Sequence, residues 1–237
     1  MNVDGSIAFV TGANRGLGAA FTAALFERGA AKVYAGVRRP ETITDPRLVP
    51  MRLDLTEPDS IVEAARLGPD VTLVINNAGI STHTRILGDE EGLRQELEVN
   101  YLGPVAVARS FSPVLAANGG GALVNVLSVL SWVSFPQAGG YSAAKSAMWA
   151  ATNSLRQDLA RQHTQVLAVH VGYMDTDMAA AVSAPKTDPS DVARATLDAL
   201  EAGQHEVLAD EVSRQVRAQL SGPLTSLYPS LQPEVAA

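Results

Sequence analysis

A tyrosine and a lysine stand four residues apart in GGYSAAKSAMW, residues 139–149. On an α-helix that spacing puts Tyr141 and Lys145 on one face, one turn apart. A free phenol has a pKa near 10 and an ammonium near 10.4, so proton exchange near neutrality asks for a shift of about three units in Tyr141, or about 4 kcal/mol of preference for phenolate. One positive charge ~4 Å away supplies about that much at an effective dielectric of ~20. It also acts in the required direction, since a neighbouring cation lowers the pKa of an acid. The pair reads as an acid tuned by its neighbour. A lysine stem packed on an aromatic ring is the plainer alternative, and the pair alone does not choose between them.

The elements that must hold such a pair follow from the pattern of apolar runs. Strand-like runs occur at 7–12, 32–37, 49–55, 71–79, 122–128, 166–172 and 205–209. Helical stretches lie between them at 21–29, 57–68, 90–118, 141–162 and 190–202. Unbroken Val/Ile/Leu strands alternating with helices predict a parallel sheet covered on both faces. The expected fold is therefore α/β: a single-domain, doubly wound Rossmann fold with a mostly parallel sheet of about seven strands. After residue 210 the chain changes character, to a charged helical piece, EVSRQVRAQL, and then a tail expected to lie extended or fray.

Composition narrows the function classes. The 237 residues are 46% hydrophobic and 18% charged, which suits a compact globule rather than a disordered chain. A net charge of -7 disfavours nucleic acid and anionic membrane as partners. No apolar run approaches the ~20 residues of a membrane span, and the N-terminus lacks the basic region of a signal peptide. The expectation is a cytoplasmic chain. With no Cys, thiol catalysis and disulfides are excluded, and the four His, at 83, 163, 170 and 205, lack metal-ligand spacing, so no metal is expected.

The first strand runs into TGANRGLGAA, where Gly12, Gly16 and Gly18 stand in a G-x-x-x-G-x-G spacing. Glycines at such a turn let a pyrophosphate approach the backbone at a helix N-terminus. Arg15 lies inside the turn, and Arg38 follows the second strand, where an NAD site carries an acid on the ribose 2′-hydroxyl. YAGVRRP, residues 34–40, has no Asp or Glu, and a guanidinium there suits a 2′-phosphate. NADP is preferred over NAD as cofactor. Two solvated surface arginines are the bland alternative.

These motifs, in this order, resemble the short-chain dehydrogenase/reductase family over roughly residues 5–210. TGANRGLG resembles its cofactor turn, Asp54 in RLDLT its adenine-side acid, and NNAG (76–79) the motif after its fourth strand. Asn100 in VNYLG, Ser128, Tyr141 and Lys145 match its catalytic four, Ser128 preceding Tyr141 by thirteen residues. The resemblance implies that Gly12, Asn14, Arg15, Gly16, Leu17, Gly18, Arg38, Asp54, Leu55, Asn77, Ala78, Gly79, Gly172, Met174 and Thr176 border the cofactor, together with Tyr141 and Lys145. It implies that Ser128 orients a substrate oxygen, although a strand-end Ser also serves as a plain cap. Lys145 would bind the nicotinamide ribose. Pro104 cannot donate to the carbonyl of Asn100 four residues back, and a kink freeing that carbonyl for a water resembles the family's proton relay. Asn76 and Asn77 read as structural links, and Gly79 as room near the cofactor. One departure stands out: where the family has Pro-Gly-x-x-x-Thr after the sixth strand, this chain has Val171, Gly172 and Thr176.

The expected domain layout is a dinucleotide-binding and catalytic Rossmann domain over 1–210, with 211–237 a C-terminal helix and extended tail of the same domain. Substrate contacts are expected from Trp132, Phe135, Tyr173, Met174 and Met178, forming an apolar or aromatic pocket for a ketone, aldehyde or secondary alcohol. The leading expectation is an NADP(H)-dependent carbonyl reductase or alcohol dehydrogenase with Tyr141 as general acid/base. A non-catalytic NADP-sensing regulatory protein, and an epimerase or dehydratase on the same fold, stand beside it. Resemblance further implies a homodimer or homotetramer, paired through the two long helices.

Overall fold

A computed structural model describes residues 1–231. Seven strands form one sheet: β1 (Ile7–Thr11), β2 (Lys32–Val37), β3 (Leu48–Arg52), β4 (Leu73–Asn76), β5 (Ala122–Val126), β6 (Gln165–His170) and β7 (Glu206–Leu208). Every pairing is parallel, in the order β3-β2-β1-β4-β5-β6-β7. The expected sheet is thus present, wholly rather than mostly parallel. Its helices are α1 (Gly16–Glu27), α2 (Pro58–Leu67), α3 (Glu90–Leu97), α4 (Gly103–Ala117), α5 (Gly139–Asp158), α6 (Pro189–Glu201), α7 (Glu211–Gln219) and the short α8 (Leu224–Leu227).

Alternation along the strands splits the core between two faces. Ala8, Val10, Val33, Leu73, Ile75 and Val124 pack with Leu17, Phe21 and Leu25 of α1 and with Val192, Leu197 and Leu200 of α6. Phe9, Tyr34, Val74 and Leu123 point the other way, against Ile61 of α2 and Val107, Phe111 and Leu115 of α4. The rings of Phe9 and Phe111 stack at 4.6 Å. Strand order reverses between β1 and β4, and a doubly wound sheet opens a crevice at such a point, beyond the carboxyl ends of the strands. Both the glycine turn and NNAG leave the sheet there.

The long helical stretch expected over 90–118 is not one α-helix. Between α3 and α4 the chain makes a π-helical segment, Glu98–Leu102, in which the Gly103 amide donates to the carbonyl of Glu98 five residues back. Pro104 has no N–H for the carbonyl of Asn100, so the α ladder breaks there and one extra residue is taken into the turn. The tail also departs from expectation. Residues 224–231 form short helical turns instead of lying extended, and the Ser134 amide donates to the Tyr228 hydroxyl at 3.0 Å. Residues 232–237 of the expected tail lie outside the described residues. Among the described residues, no helix is long and apolar enough to cross a membrane.

Candidate active site

The glycine turn is built from left-handed backbone and close packing. Gly12 and Gly16 have φ of +67° and +52°, conformations that favour glycine. A Cβ on Gly18 would stand 2.0 Å from the carbonyl oxygen of Gly12. Thr11 fastens this turn to the end of β4: its Oγ1 accepts from the amides of Asn77 and Ala78 at 3.0 and 2.9 Å, and its carbonyl accepts from Asn77 Nδ2 at 2.9 Å. The Arg15 side chain makes no capping bond to α1, and the first turn carries no acid. A pyrophosphate fits this cradle, because helix N-terminal amides and a bare backbone both favour an anion.

Arg38 is exposed just beyond β2. Near it, burial works to raise the pKa of Asp54, yet hydrogen bonds from the Thr56 amide and hydroxyl, with the charges of Arg38 and Arg52, hold the carboxyl below its usual value. Arg15 instead pairs with Asp177 at 2.8 Å, in the loop after β6. That loop is closed by backbone bonds from Thr187 to Tyr173 (2.8 Å) and from Asp175 to Thr187 (3.0 Å). Thr176 descends onto the turn so closely that a Cβ on Gly16 would lie 3.2 Å from its Cγ2. Val171, in place of the expected proline, is buried, and its carbonyl accepts from the Val129 amide at 3.0 Å and from Ser128 Oγ at 3.4 Å.

Asn100 uses its side chain to hold the loop after β4, donating to the Ile80 carbonyl at 2.9 Å and accepting from the Ile80 amide at 3.0 Å. A Cβ on Gly79 would meet Asn100 Oδ1 at 2.8 Å and Lys145 Nζ at 3.8 Å, so these three residues share one corner. Asn76 is a structural link, donating to the Pro104 carbonyl at 3.1 Å and to Asn125 Oδ1 at 3.0 Å. Ser128 does what a strand-end serine does: it caps the turn Val129–Ser131, its Oγ accepting from the Leu130 amide at 3.1 Å. It also sits close enough to Tyr141 to act on the phenol.

Tyr141 and Lys145 occupy one face of α5, with Lys145 Nζ 5.6 Å from the centroid of the Tyr141 ring. The ammonium is buried and donates to the Val126 carbonyl at 2.9 Å. The direction of tuning differs from the sequence-based expectation. Burial pushes the Tyr141 phenol up to about 12, the Ser128 hydroxyl works against that rise, and the charge of Glu96 adds to it. Burial also brings Lys145 down to about 8. Desolvation penalises both charged forms, and it is the largest cause of each shift.

Two further buried residues flank Tyr141 and Ser128. Glu96, fully buried, accepts from the Thr82 amide at 2.7 Å. His170, also fully buried, places Nδ1 3.2 Å from the Ser128 carbonyl and stacks on Trp132 at 3.8 Å. Neither lies in a quoted motif, and Thr11, which opens TGANRGLG, is given no role of its own there. The i, i+4 relation of Glu96 to Asn100 is the signal that would have placed it on the same buried face. The aromatic candidates do not converge. Trp132 lines a cavity of about 280 Å³ with Ile86, Ser134, Tyr228 and the Gly139, Ser142, Ala143 and Ser146 face of α5; neither Tyr173 nor Met178 lines it. Helical spacing puts that face on the other side of α5 from Tyr141 and Lys145. Tyr173, Met178 and Phe135 are each about half exposed (43%, 48% and 50%). His83 is exposed in the loop after β4.

A family model described as short chain dehydrogenase matches residues 6–187. A short chain dehydrogenase from Burkholderia cenocepacia J2315, solved in complex with NADP, is 41% identical, with a TM-score of 0.93 over 98% of this chain and 100% of that one. An uncharacterized oxidoreductase of Staphylococcus aureus (strain N315) is 28% identical over 84% of this chain and 92% of its own. A dehydrogenase/reductase SDR family protein 7-like of Drosophila melanogaster is 30% identical over 73% of this chain, a match spanning 59% of that relative's length.

Proposed function

Because this chain belongs to the short chain dehydrogenase family, we propose that it is an NADP(H)-dependent oxidoreductase acting between a ketone or aldehyde and the corresponding secondary or primary alcohol. The observation that carries the reading is one juxtaposition. The glycine cradle, the Gly79–Asn100–Lys145 corner and Ser128, which acts on Tyr141, follow the carboxyl ends of the neighbouring strands β1, β4 and β5. When bound, the dinucleotide supplies or accepts the hydride.

The chain's residues would do the rest. Tyr141 moves the proton at the substrate oxygen, and the Ser128 hydroxyl, held by the turn it caps, orients that oxygen. Lys145 holds its ammonium beside the phenol, where it favours phenolate once the site gains further positive charge. Asn100 fixes the loop after β4 with its side chain, while Pro104 leaves its carbonyl free of the α ladder to hold a water on the way to solvent. NADP is favoured over NAD by the exposed Arg38 and the absence of an acid in residues 34–40. The NADP complex of the 41% identical relative supports the same preference. In this reading residues 1–210 carry cofactor and chemistry, and two copies pair through α4 and α5, whose outward faces include Arg109, Pro113, Ala143 and Ala150.

The test follows NADPH and NADH absorbance with a panel of ketones and aldehydes, comparing the wild type with Tyr141→Phe. Turnover in the wild type and a fall of at least ~100-fold in the variant are expected, the usual range for losing a general acid. Equal NADPH binding by both proteins without turnover of any carbonyl would favour a cofactor-sensing role instead.

A further inference from the structure

One buried ionisable group takes no part in that scheme. Glu96 lies one helical turn before Asn100, and only its Oε1 is satisfied, by the Thr82 amide. Its Oε2 has no hydrogen-bond partner among the described residues. This oxygen occupies the space that Gly140 leaves open at the first turn of α5, for a Cβ on Gly140 would come within 2.2 Å of it. The Gly140 amide in turn donates to the Thr84 carbonyl at 3.1 Å, and Gly140 directly precedes Tyr141. The carboxyl group therefore sits between the loop at 80–84 and the helix start that carries the phenol.

A buried carboxylate costs several kcal/mol in desolvation, and an apolar side chain could fill this space without that cost. The other titratable groups on the elements packed around it are few. Lys145 and Tyr141 share α5, and Tyr228 of the tail packs in the same apolar cluster as Tyr141. His83, Arg85 and Asp89 of the loop before α3 are exposed, as are Glu90, Glu91 and Arg94 on α3 itself, while Glu98, in the π-helical segment, is half-buried. Of the carboxylates, Glu96 alone is buried beside the phenol and acts on it.

We propose that Glu96 is a positioning residue acting through Tyr141: it braces the loop and helix start that frame the phenol, and its negative charge beside that phenol disfavours the phenolate, which suits the protein to carbonyl reduction. The inference rests on the function proposed above. In that direction the carbonyl carbon gains a hydride from the reduced dinucleotide, which is oxidised, and the carbonyl oxygen takes the Tyr141 proton. Solvent then returns a proton to the phenolate.

Glu96→Gln keeps an acceptor for Thr82 and removes the charge; Glu96→Asp keeps the charge and shortens the reach. Isotope-edited NMR of ring-labelled tyrosine, with the Tyr141 signal assigned by its loss in Tyr141→Phe, follows the phenol through a pH titration with and without added NADP+. The midpoint is expected to fall in Glu96→Gln by on the order of one pH unit, and to stay within a few tenths of the wild type in Glu96→Asp. Equal midpoints in wild type and Glu96→Gln overturn the proposal. So does an equal fall in both variants, which traces to lost packing rather than lost charge. If Glu96→Gln does not fold, the Asp variant decides alone: a retained midpoint supports the proposal and a lowered one overturns it. NADPH fluorescence on the same samples separates the two readings, since failure to bind it sinks the dehydrogenase assignment and leaves the titration readable.

Discussion

Replacing Lys145 by methionine is expected to make the folded protein more stable at neutral pH while removing its activity. The lysine is 5% exposed and its pKa is brought down to about 8 by burial. In the unfolded chain it returns to near 10.4. Because the native value is the lower one, the unfolded state binds the extra proton between those limits, and stability rises as pH climbs from about 8 to 10.5. Below pH 8 the full penalty of the buried ammonium is present, about 3 kcal/mol for a shift of this size. Removing the ammonium also frees the Val126 carbonyl of its 2.9 Å partner, a loss of about 1–2 kcal/mol. The net expectation for Lys145→Met is a gain of about 1–2 kcal/mol near pH 7. Urea unfolding of both proteins at neutral pH and at about 9.5 measures it. The advantage of the variant shrinks by roughly 2 kcal/mol across that interval, because the wild-type lysine discharges in place. Tyr141 does not confuse the comparison: its phenol is held up to about 12 in the folded state, so it removes stability only above its unfolded value of about 10, and it does so in both proteins. A gap that does not change with pH, or a variant less stable at both values, would refute the argument that burial dominates at this lysine.

Thr11→Val keeps the shape of a side chain that is 1% exposed and strips the acceptor from two amides, Asn77 and Ala78. A loss of about 2–4 kcal/mol in denaturant unfolding is expected, with weaker NADPH binding because the glycine turn loses its tie to β4; a loss under ~1 kcal/mol contradicts it. Arg38→Ala should weaken NADPH binding about tenfold or more and leave NADH nearly unchanged, as befits a charge-assisted contact to a 2′-phosphate. Equal effects on both cofactors, read by fluorescence titration, would remove Arg38 from that role.

Much of the candidate site was legible because its parts are local. Gly12, Gly16 and Gly18 announce a tight turn by being glycines, Tyr141 and Lys145 share a face by helical spacing, and Pro104 declares a break in hydrogen bonding wherever it falls. The strands read correctly for the same reason, since buried parallel strands are nearly continuous apolar runs. The aromatic pocket was less legible. Trp132, Tyr173 and Met178 were grouped by position along the chain, yet Trp132 turns inward onto His170 and toward the far side of α5. Side-chain direction at a loop residue depends on what packs beneath it, and nothing local encodes that.

The one-dimensional pattern was thus enough for the alternation of strands and helices, the parallel sheet, the cradle for an anion and the four residues that match the family's catalytic set. Only the folded chain decided their electrostatics. The sign of the shift at Tyr141 depends on how much water the phenol and the ammonium lose, and that is a property of the whole enclosure: β5 under Lys145, the Ser128 turn, the tail around Tyr228 and the buried charge of Glu96. Spacing can bring two groups together. Which of their charge states survives there is set by desolvation, which is summed over neighbours from distant parts of the chain.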